Sequence, residues 1–281
     1  MRTLTVDERY CEELTRHAAG NFYWGFVALP RHQRTAIYAL YSLARQIDDD
    51  VDRAGDDGAL ARLSTHRARL AACVGGRPED PVTRVLAEVI ERHEIPAREL
   101  EALIDGVEMD VRIRRYATWD ELRVYCRHVA SSVGRMCVRI FGFRDPAALE
   151  YADDLGIAMQ IANILRDVRE DAQIGRVYLP QTDLAAFGVD EGCLAAGQAS
   201  GRWSDLVQFE LERAAAHFTS GLRVTDLIPR RAAVCVLTMA GLYQTIALEI
   251  RRDPFLPLDR RVSLSRHQKL SVLLRSWLQV V

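Results

Sequence analysis

Aspartates fall in two pairs, Asp48 with Asp52 and Asp167 with Asp171, the members of each pair four residues apart. On a helix that spacing stacks both carboxylates on one face, about 6 Å apart along the axis. Like charges so placed weaken a helix by a few tenths of a kcal/mol, so the pairing makes chemical sense when a cation sits against it. The same stripes carry polar groups upstream: Tyr41 and Arg45 before the first pair, Gln160, Asn163 and Arg166 before the second. If the stripes face each other across a cavity, four carboxylates offer oxygen ligands to a hard divalent cation. Magnesium, with manganese as the near substitute, suits such a site because it keeps several waters and bridges one or two carboxylates to phosphate. Arg45 and Arg166 then present forked donors to the same phosphate oxygens. A lone pair of this kind reads as a solvated helix face; two, each set behind an arginine in apolar sequence, read as a metal site.

Helices have to position these stripes. Apolar residues recur at helical spacing along nearly all of the 281 residues, and no run alternates with period two, which predicts an all-α protein of one domain, 1–281. One long helix is expected over 31–52 behind Pro30, and another from Thr118 or Asp120 to near Gly142. Breaks are expected at 75–81, 143–146, 174–180, 197–201 and 253–259. The greasy stretch 232–248 is interrupted by Thr238, Gly241, Gln244 and Thr245 and reads as a buried helix rather than a membrane span.

Hydrophobic residues make up 49% and charged residues 27%, which excludes disorder, and a formal net charge of -2 gives no reason to expect nucleic acid. Six cysteines without a C-x-x-C pair read as buried thiols in a reducing, cytoplasmic setting, and no H-E-x-x-H is present. The start, "MRTLTVDERY", has no apolar core of a signal peptide. The segment "KLSVLLRSWLQVV" is amphipathic, with Lys269 and Arg275 beside apolar residues; it reads as a helix docked on the core, peripheral contact with a membrane surface being the alternative. No obligate protein partner is evident.

"NFYWGFVALPRHQRTAIYALYSLARQIDDDVD", "RYATWDELRVYCRHVASSVGRM" and "LGIAMQIANILRDVREDAQIGRVYLP" resemble the squalene/phytoene synthase family, and "DRRVSLSRHQKL" is similar to its closing motif. The resemblance implies an isoprenoid synthase (class I terpenoid synthase) fold, with helices around a central cavity. It implies that Asp48, Asp52, Asp167 and Asp171 hold Mg²⁺, and that Tyr41, Arg45, Arg166 and Tyr243 act at the reacting centre. Asn21, Phe22, Phe26, Val133, Gly134, Gln160, Asn163 and Arg261 would contact substrate. Asp110 in "EMDVRIRRY" matches an acidic family position, its alternative being an exposed helix carboxylate. Two departures stand out. Asn21, with Ala19 and Gly20, replaces the Ser and Lys that members often carry, and Ser131 replaces the first glycine of A-G-x-V-G, which leaves the helix kink to Gly134.

The implied activity is head-to-head condensation of two prenyl diphosphates. One ionises to an allylic cation with its leaving group neutralised. The double bond of the second attacks that cation in an apolar cavity lined by residues such as Phe22, Phe26, Val133 and Met159, giving a cyclopropylcarbinyl diphosphate. A second ionisation ends in hydride delivery or proton loss, which leaves a need for NADPH open. Phe22 and Phe26, one turn apart, are expected to point into the tunnel, Phe26 blocking the depth a fourth isoprene unit needs; farnesyl diphosphate and a C30 product are therefore expected. The alternatives are a phytoene synthase using geranylgeranyl diphosphate, a terpene cyclase with the same metal logic, and a non-catalytic assembly or binding protein of the same fold, which predicts broken aspartate motifs.

Overall fold

The computed structural model describes residues 4–18, 20 and 22–280, without the side chains of Ala18, Phe22, Asp56 and Asp57. Among the described residues there is no strand, only an isolated bridge between Arg115 and Val177. The helices are α1 (Val6–Ala18), α2 (Phe22–Phe26), α3 (Arg31–Val74), α4 (Pro81–His93), α5 (Ala97–Arg112), α6 (Trp119–Cys126), α7 (Ser132–Phe141), α8 (Ala147–Gln173), α9 (Gln181–Phe187), α10 (Trp203–Gly221), α11 (Arg230–Arg252), α12 (Leu256–Asp259) and α13 (Arg266–Val280).

Pro30 caps α3 with φ -55, as its ring requires. The helix does not stop at residue 52. It bends at Gly55, whose φ of 63 and ψ of 179 are open to glycine alone at no steric cost, and runs on to Val74. Before the bend, Ile37, Tyr38, Leu40, Leu43, Ile47 and Val51 are buried. After it, the helix packs on α4 and α5. Asp80 fixes the start of α4 by accepting from the N–H groups of Val82 and Thr83 at 3.0 and 3.1 Å, while Thr83 Oγ1 accepts from the Asp80 N–H at 3.1 Å.

α6 and α7 form one rod joined by a π-helical turn at Arg127–Ser131, begun at the Thr118 cap and ended by Gly142 at φ 76. The irregularity thus precedes Gly134, which corrects the sequence expectation. The reason lies in packing: Ser131 Oγ donates to the Asp153 carbonyl at 2.7 Å, and a Cβ added at Gly156 would lie 2.6 Å from Ser131 Cα. Backbone meets backbone at Ser131, and the wider π turn delivers it there. Gly134 serves the same contact further along, since a Cβ there would meet the Ala152 carbonyl at 3.0 Å.

α8 lies at the centre, against α7, α10 and α11. The greasy stretch 232–248 is α11, which is long and apolar enough to cross a membrane (mean hydropathy 1.6), but 61% of that window is buried in the protein. α13 docks on α11 through buried Val272 and Ser276, the former against Gly241. All six cysteines are unpaired; Cys11, Cys73, Cys126 and Cys235 are buried, Cys137 and Cys193 partly so.

Candidate active site

A cavity of about 520 Å³ opens between α3, α5, α6, α7, α8 and α11. Tyr41, Arg45 and Asp48 line it from α3, Gln160 and Asn163 from α8, Asp110 from α5, Tyr125 from α6 and Tyr243 from α11. Below this polar collar the wall is apolar: Ile37, Leu40, Val133, Val138, Phe141, Met159, Val236 and Met239. From Asp48 down to Ile37 the lining follows α3 for about 16 Å at 1.5 Å per residue. The floor closes where Gln33 Nε2 donates to the Phe141 carbonyl at 3.0 Å.

Burial is the main force on the carboxylates. Asp48 opens onto the cavity, yet protein surrounds it on most sides; burial, then the charge of Asp52, push it up to about 7 against the pull of Arg45. Asp171 is likewise pushed up to about 7 by burial, then by Asp167 and Asp110, against Arg176. Asp110 is raised by burial, but it accepts from Tyr178 Oη at 2.6 Å and Tyr125 Oη at 3.1 Å, and Arg176 opposes the rise. Its charge acts on both Asp48 and Asp171, so it stands between the two aspartate stripes.

Local structure explains the tyrosines. The loops after α5 and α8 are joined by Val177 N–H to the Arg114 carbonyl at 3.0 Å and Gln181 N–H to the Tyr116 carbonyl at 2.9 Å. That junction stacks Tyr178 on Tyr125 at 5.1 Å and on Tyr116 at 6.0 Å, above Asp110.

The arginines are engaged with carboxylates. Arg166 forms a forked ion pair with Asp167, with Nε at 2.8 Å from Oδ1, and Arg261 reaches the same oxygen with its Nε at 2.9 Å. Arg45 pairs with Asp49 at 2.6 Å. Tyr243, its hydroxyl raised by burial, hydrogen-bonds Asn163 and Arg166. Among the described residues no three acidic, histidine or cysteine side chains converge to hold an ion by themselves. The buried Asn163 Oδ1 has no hydrogen-bond partner, and Asp48 beside Asp52 and Asp171 beside Asp167 are each driven toward neutrality by burial and by the neighbouring charge, so each aspartate pair is a donor set short of positive charge. It fits a divalent cation completed by substrate oxygens, the mode in which magnesium binds one or two carboxylates and phosphate.

The structure thus brings Tyr41, Arg45, Asp48, Gln160, Asn163 and Tyr243 to the collar, with Val133, Gly134 and Phe26 on the wall. Asn21 and the side chain of Phe22 lie outside the described residues. Phe26 lines the cavity with its ring centroid 6.1 Å from Tyr38 and 6.3 Å from Tyr41, level with the lower part of the α3 stripe. Ile37 and Phe141 line the cavity a few ångströms below it, next to the Gln33–Phe141 hydrogen bond. Tyr125, Tyr178 and Arg176 were missed in the sequence reading. Tyr125 carries one signal, its place on the helix that also bears Val133 and Gly134; Tyr178 and Arg176 carry none, because their partner Asp110 is remote in sequence.

A family model described as squalene/phytoene synthase matches residues 15–268. The phytoene synthase of Mycobacterium tuberculosis is 40% identical over 270 residues, covering 94% of this chain and 88% of its own. The 15-cis-phytoene synthase of Synechococcus elongatus is 33% identical over 286 residues, 96% of this chain and 92% of its own. Among solved structures, the squalene synthase HpnC of Alicyclobacillus acidocaldarius has a TM-score of 0.83 at 31% identity, covering 89% of this chain and 95% of its own. A ligand-bound dehydrosqualene synthase has a TM-score of 0.89 at 28% identity, covering 98% of this chain and 97% of its own.

Proposed function

Because this chain belongs to the squalene/phytoene synthase family, we propose that it is a phytoene synthase, condensing two geranylgeranyl diphosphates head to head. The observation that carries the choice of chain length is the cavity lining that follows α3 from the Asp48 collar down to Ile37 and is apolar below Tyr41. At about 4 to 5 Å per isoprene unit, close to one helical turn, a depth of about 16 Å takes four units where farnesyl needs three. The relatives named phytoene synthase support the same reading.

Asp48, Asp52, Asp167 and Asp171 would hold the magnesium, which when bound neutralises charge developing on the departing diphosphate. Arg45, Arg166 and Arg261 bind and orient the two diphosphates through forked hydrogen bonds. Asn163 and Tyr243 add polar contacts at the collar. The C1–O bond of one substrate breaks with its electron pair leaving on diphosphate. The C2=C3 double bond of the other attacks C1 and loses a proton, closing a cyclopropane ring. Ionisation of that intermediate, rearrangement and loss of a second proton give the triene. Two diphosphates and two protons leave, and no hydride enters, so NADPH is not required. The apolar wall excludes water from both cations, and Phe26 with Tyr41 offers π-electron density near the collar.

A second reading, the C30 activity, is favoured by likeness to the squalene and dehydrosqualene synthase structures. Incubation with farnesyl or geranylgeranyl diphosphate and Mg²⁺, with and without NADPH, followed by mass spectrometry, separates them. Phytoene from geranylgeranyl diphosphate without NADPH is expected. Turnover of farnesyl diphosphate alone would replace this assignment by the C30 one.

A further inference from the structure

α13 turns its apolar face the wrong way for a helix of a water-soluble surface. Leu270, Leu274 and Leu278 are 44, 55 and 79% exposed. At about 100° per residue the three form one stripe, and the buried Val272 and Ser276 lie on the opposite side. A surface helix ordinarily buries its leucine stripe and offers polar residues to water; here the fully buried side chains of α13 are one valine and one serine, Leu273 is half-buried, and three leucines are left outside.

Charge defines what can cover them. The helix sequence RHQKLSVLLRSWLQV contains Arg266, Lys269 and Arg275 and no acidic residue. None of the three cations has a carboxylate partner among the described residues. Trp277 lies partly buried beside the stripe. Three leucines, a tryptophan and unneutralised cations on one helix match the composition of helices that lie in the headgroup region of a bilayer, the leucines among acyl chains and the cations at lipid phosphates. A second copy of the chain is a poorer cover, because a two-fold contact would oppose the same cations to each other.

The position of the helix adds a reason. α11 lends Cys235, Val236 and Met239 to the cavity wall and carries α13 on its other side at Gly241. α2, which bears Phe26, also touches α13. A surface held by α13 therefore lies one helix away from the apolar chamber.

We propose that α13 is a docking face for an anionic lipid bilayer, with Leu270, Leu274 and Leu278 inserted at the headgroup boundary and Arg266 and Arg275, which flank the stripe, paired with lipid phosphate. The reading is independent of which prenyl diphosphate is used.

The test is sedimentation of the purified full chain with sucrose-loaded vesicles, either phosphatidylglycerol and phosphatidylcholine in equal parts or phosphatidylcholine alone. Circular dichroism checks that each variant is folded, and light scattering after gel filtration reports oligomeric state. Binding to the anionic vesicles is expected, weakened by salt and at least tenfold weaker on phosphatidylcholine. The triple variant Leu270→Ser, Leu274→Ser, Leu278→Ser should lose at least tenfold in partitioning, and Arg266→Gln with Arg275→Gln about thirtyfold. Should a triple variant fail to fold, Leu274→Ser and Leu278→Ser singly, the two most exposed positions, should each lower binding. Absence of sedimentation with anionic vesicles, equal binding by the leucine variants, or a dimer that dissociates when the leucines are replaced would overturn the proposal.

Discussion

Replacing Ile37 by Trp should convert the cavity to a three-unit tunnel. Ile37 is 2% exposed and lies at the foot of the α3 stripe, beside the Gln33–Phe141 closure. An indole there projects about 4 Å further than the isoleucine, roughly one helical turn, and fills the space of the fourth isoprene unit. That unit has five carbons; at about 0.8 kcal/mol per buried carbon, its burial contributes about 4 kcal/mol to kcat/KM. Losing it corresponds to about a thousandfold fall in preference for geranylgeranyl over farnesyl diphosphate, since 1.36 kcal/mol is a factor of ten. The cost in stability should be about 1–3 kcal/mol from overpacking, which a urea melt will register without loss of the fold. The assay is kcat/KM for each substrate alone, with products identified by mass spectrometry. An Ile37→Trp enzyme that keeps the original substrate ratio would refute the placement of the floor, and with it the measurement of depth along α3.

Asp48→Asn and Asp167→Asn should each cut turnover at least a hundredfold, and chelation of Mg²⁺ should abolish it reversibly. Without metal, Asp48→Asn should melt no lower than the parent at pH 8. A carboxylate whose folded pKa is raised to about 7 destabilises the fold increasingly as pH climbs from about 4 to 7, and the amide removes that penalty. Arg166→Lys keeps the charge but loses the fork onto Asp167 and onto diphosphate, so kcat should fall although the protein stays folded; unchanged kinetics would reduce Arg166 to an ion-pair partner. Away from the cavity, Glu210 is 1% exposed and held by Arg213 at 2.6 Å, which also bonds Asp183 at 3.0 Å. Arg213→Met should cost about 3–5 kcal/mol in urea denaturation near neutral pH. Burial raises Glu210 to about 7, so it can take up a proton, and the loss should be smaller at pH 5 than at pH 8.

What was readable in the sequence was mostly what lies along one helix. The stripes Tyr41–Arg45–Asp48 and Gln160–Asn163 repeat at three and four residues, a helix presents such residues on one face, and the structure sets both at one collar. Contacts between elements were less legible. Asp110 looked as much like an exposed carboxylate as a site residue, because the hydroxyls that cover it come from Tyr125 and Tyr178, the latter 68 residues away across a junction of two loops. The π turn at Arg127–Ser131 answers a backbone approach by Gly156, which no local pattern announces. Phe26 shows a limit of another kind: periodicity says which face a ring is on but not how far down a neighbouring helix that face will cross. On α13 the docking on the core was legible, but not that Leu270, Leu274 and Leu278 would face outward, since that depends on how the helix is turned against α11.

If Asp167 holds a cation and Arg166 and Arg261 hold diphosphate as proposed, their double hold on Asp167 makes substrate capture an exchange reaction. Before either guanidinium can grip a diphosphate it has to leave the aspartate, and before the aspartate can accept a cation it has to be given up by both. Affinity therefore reports a difference between two networks of similar charge, and the number of contacts seen in a liganded complex will overstate it. Because ion pairs are broken as well as made, added salt weakens both sides of the exchange. Substrate affinity should accordingly vary less with ionic strength than the charge on two diphosphates would suggest.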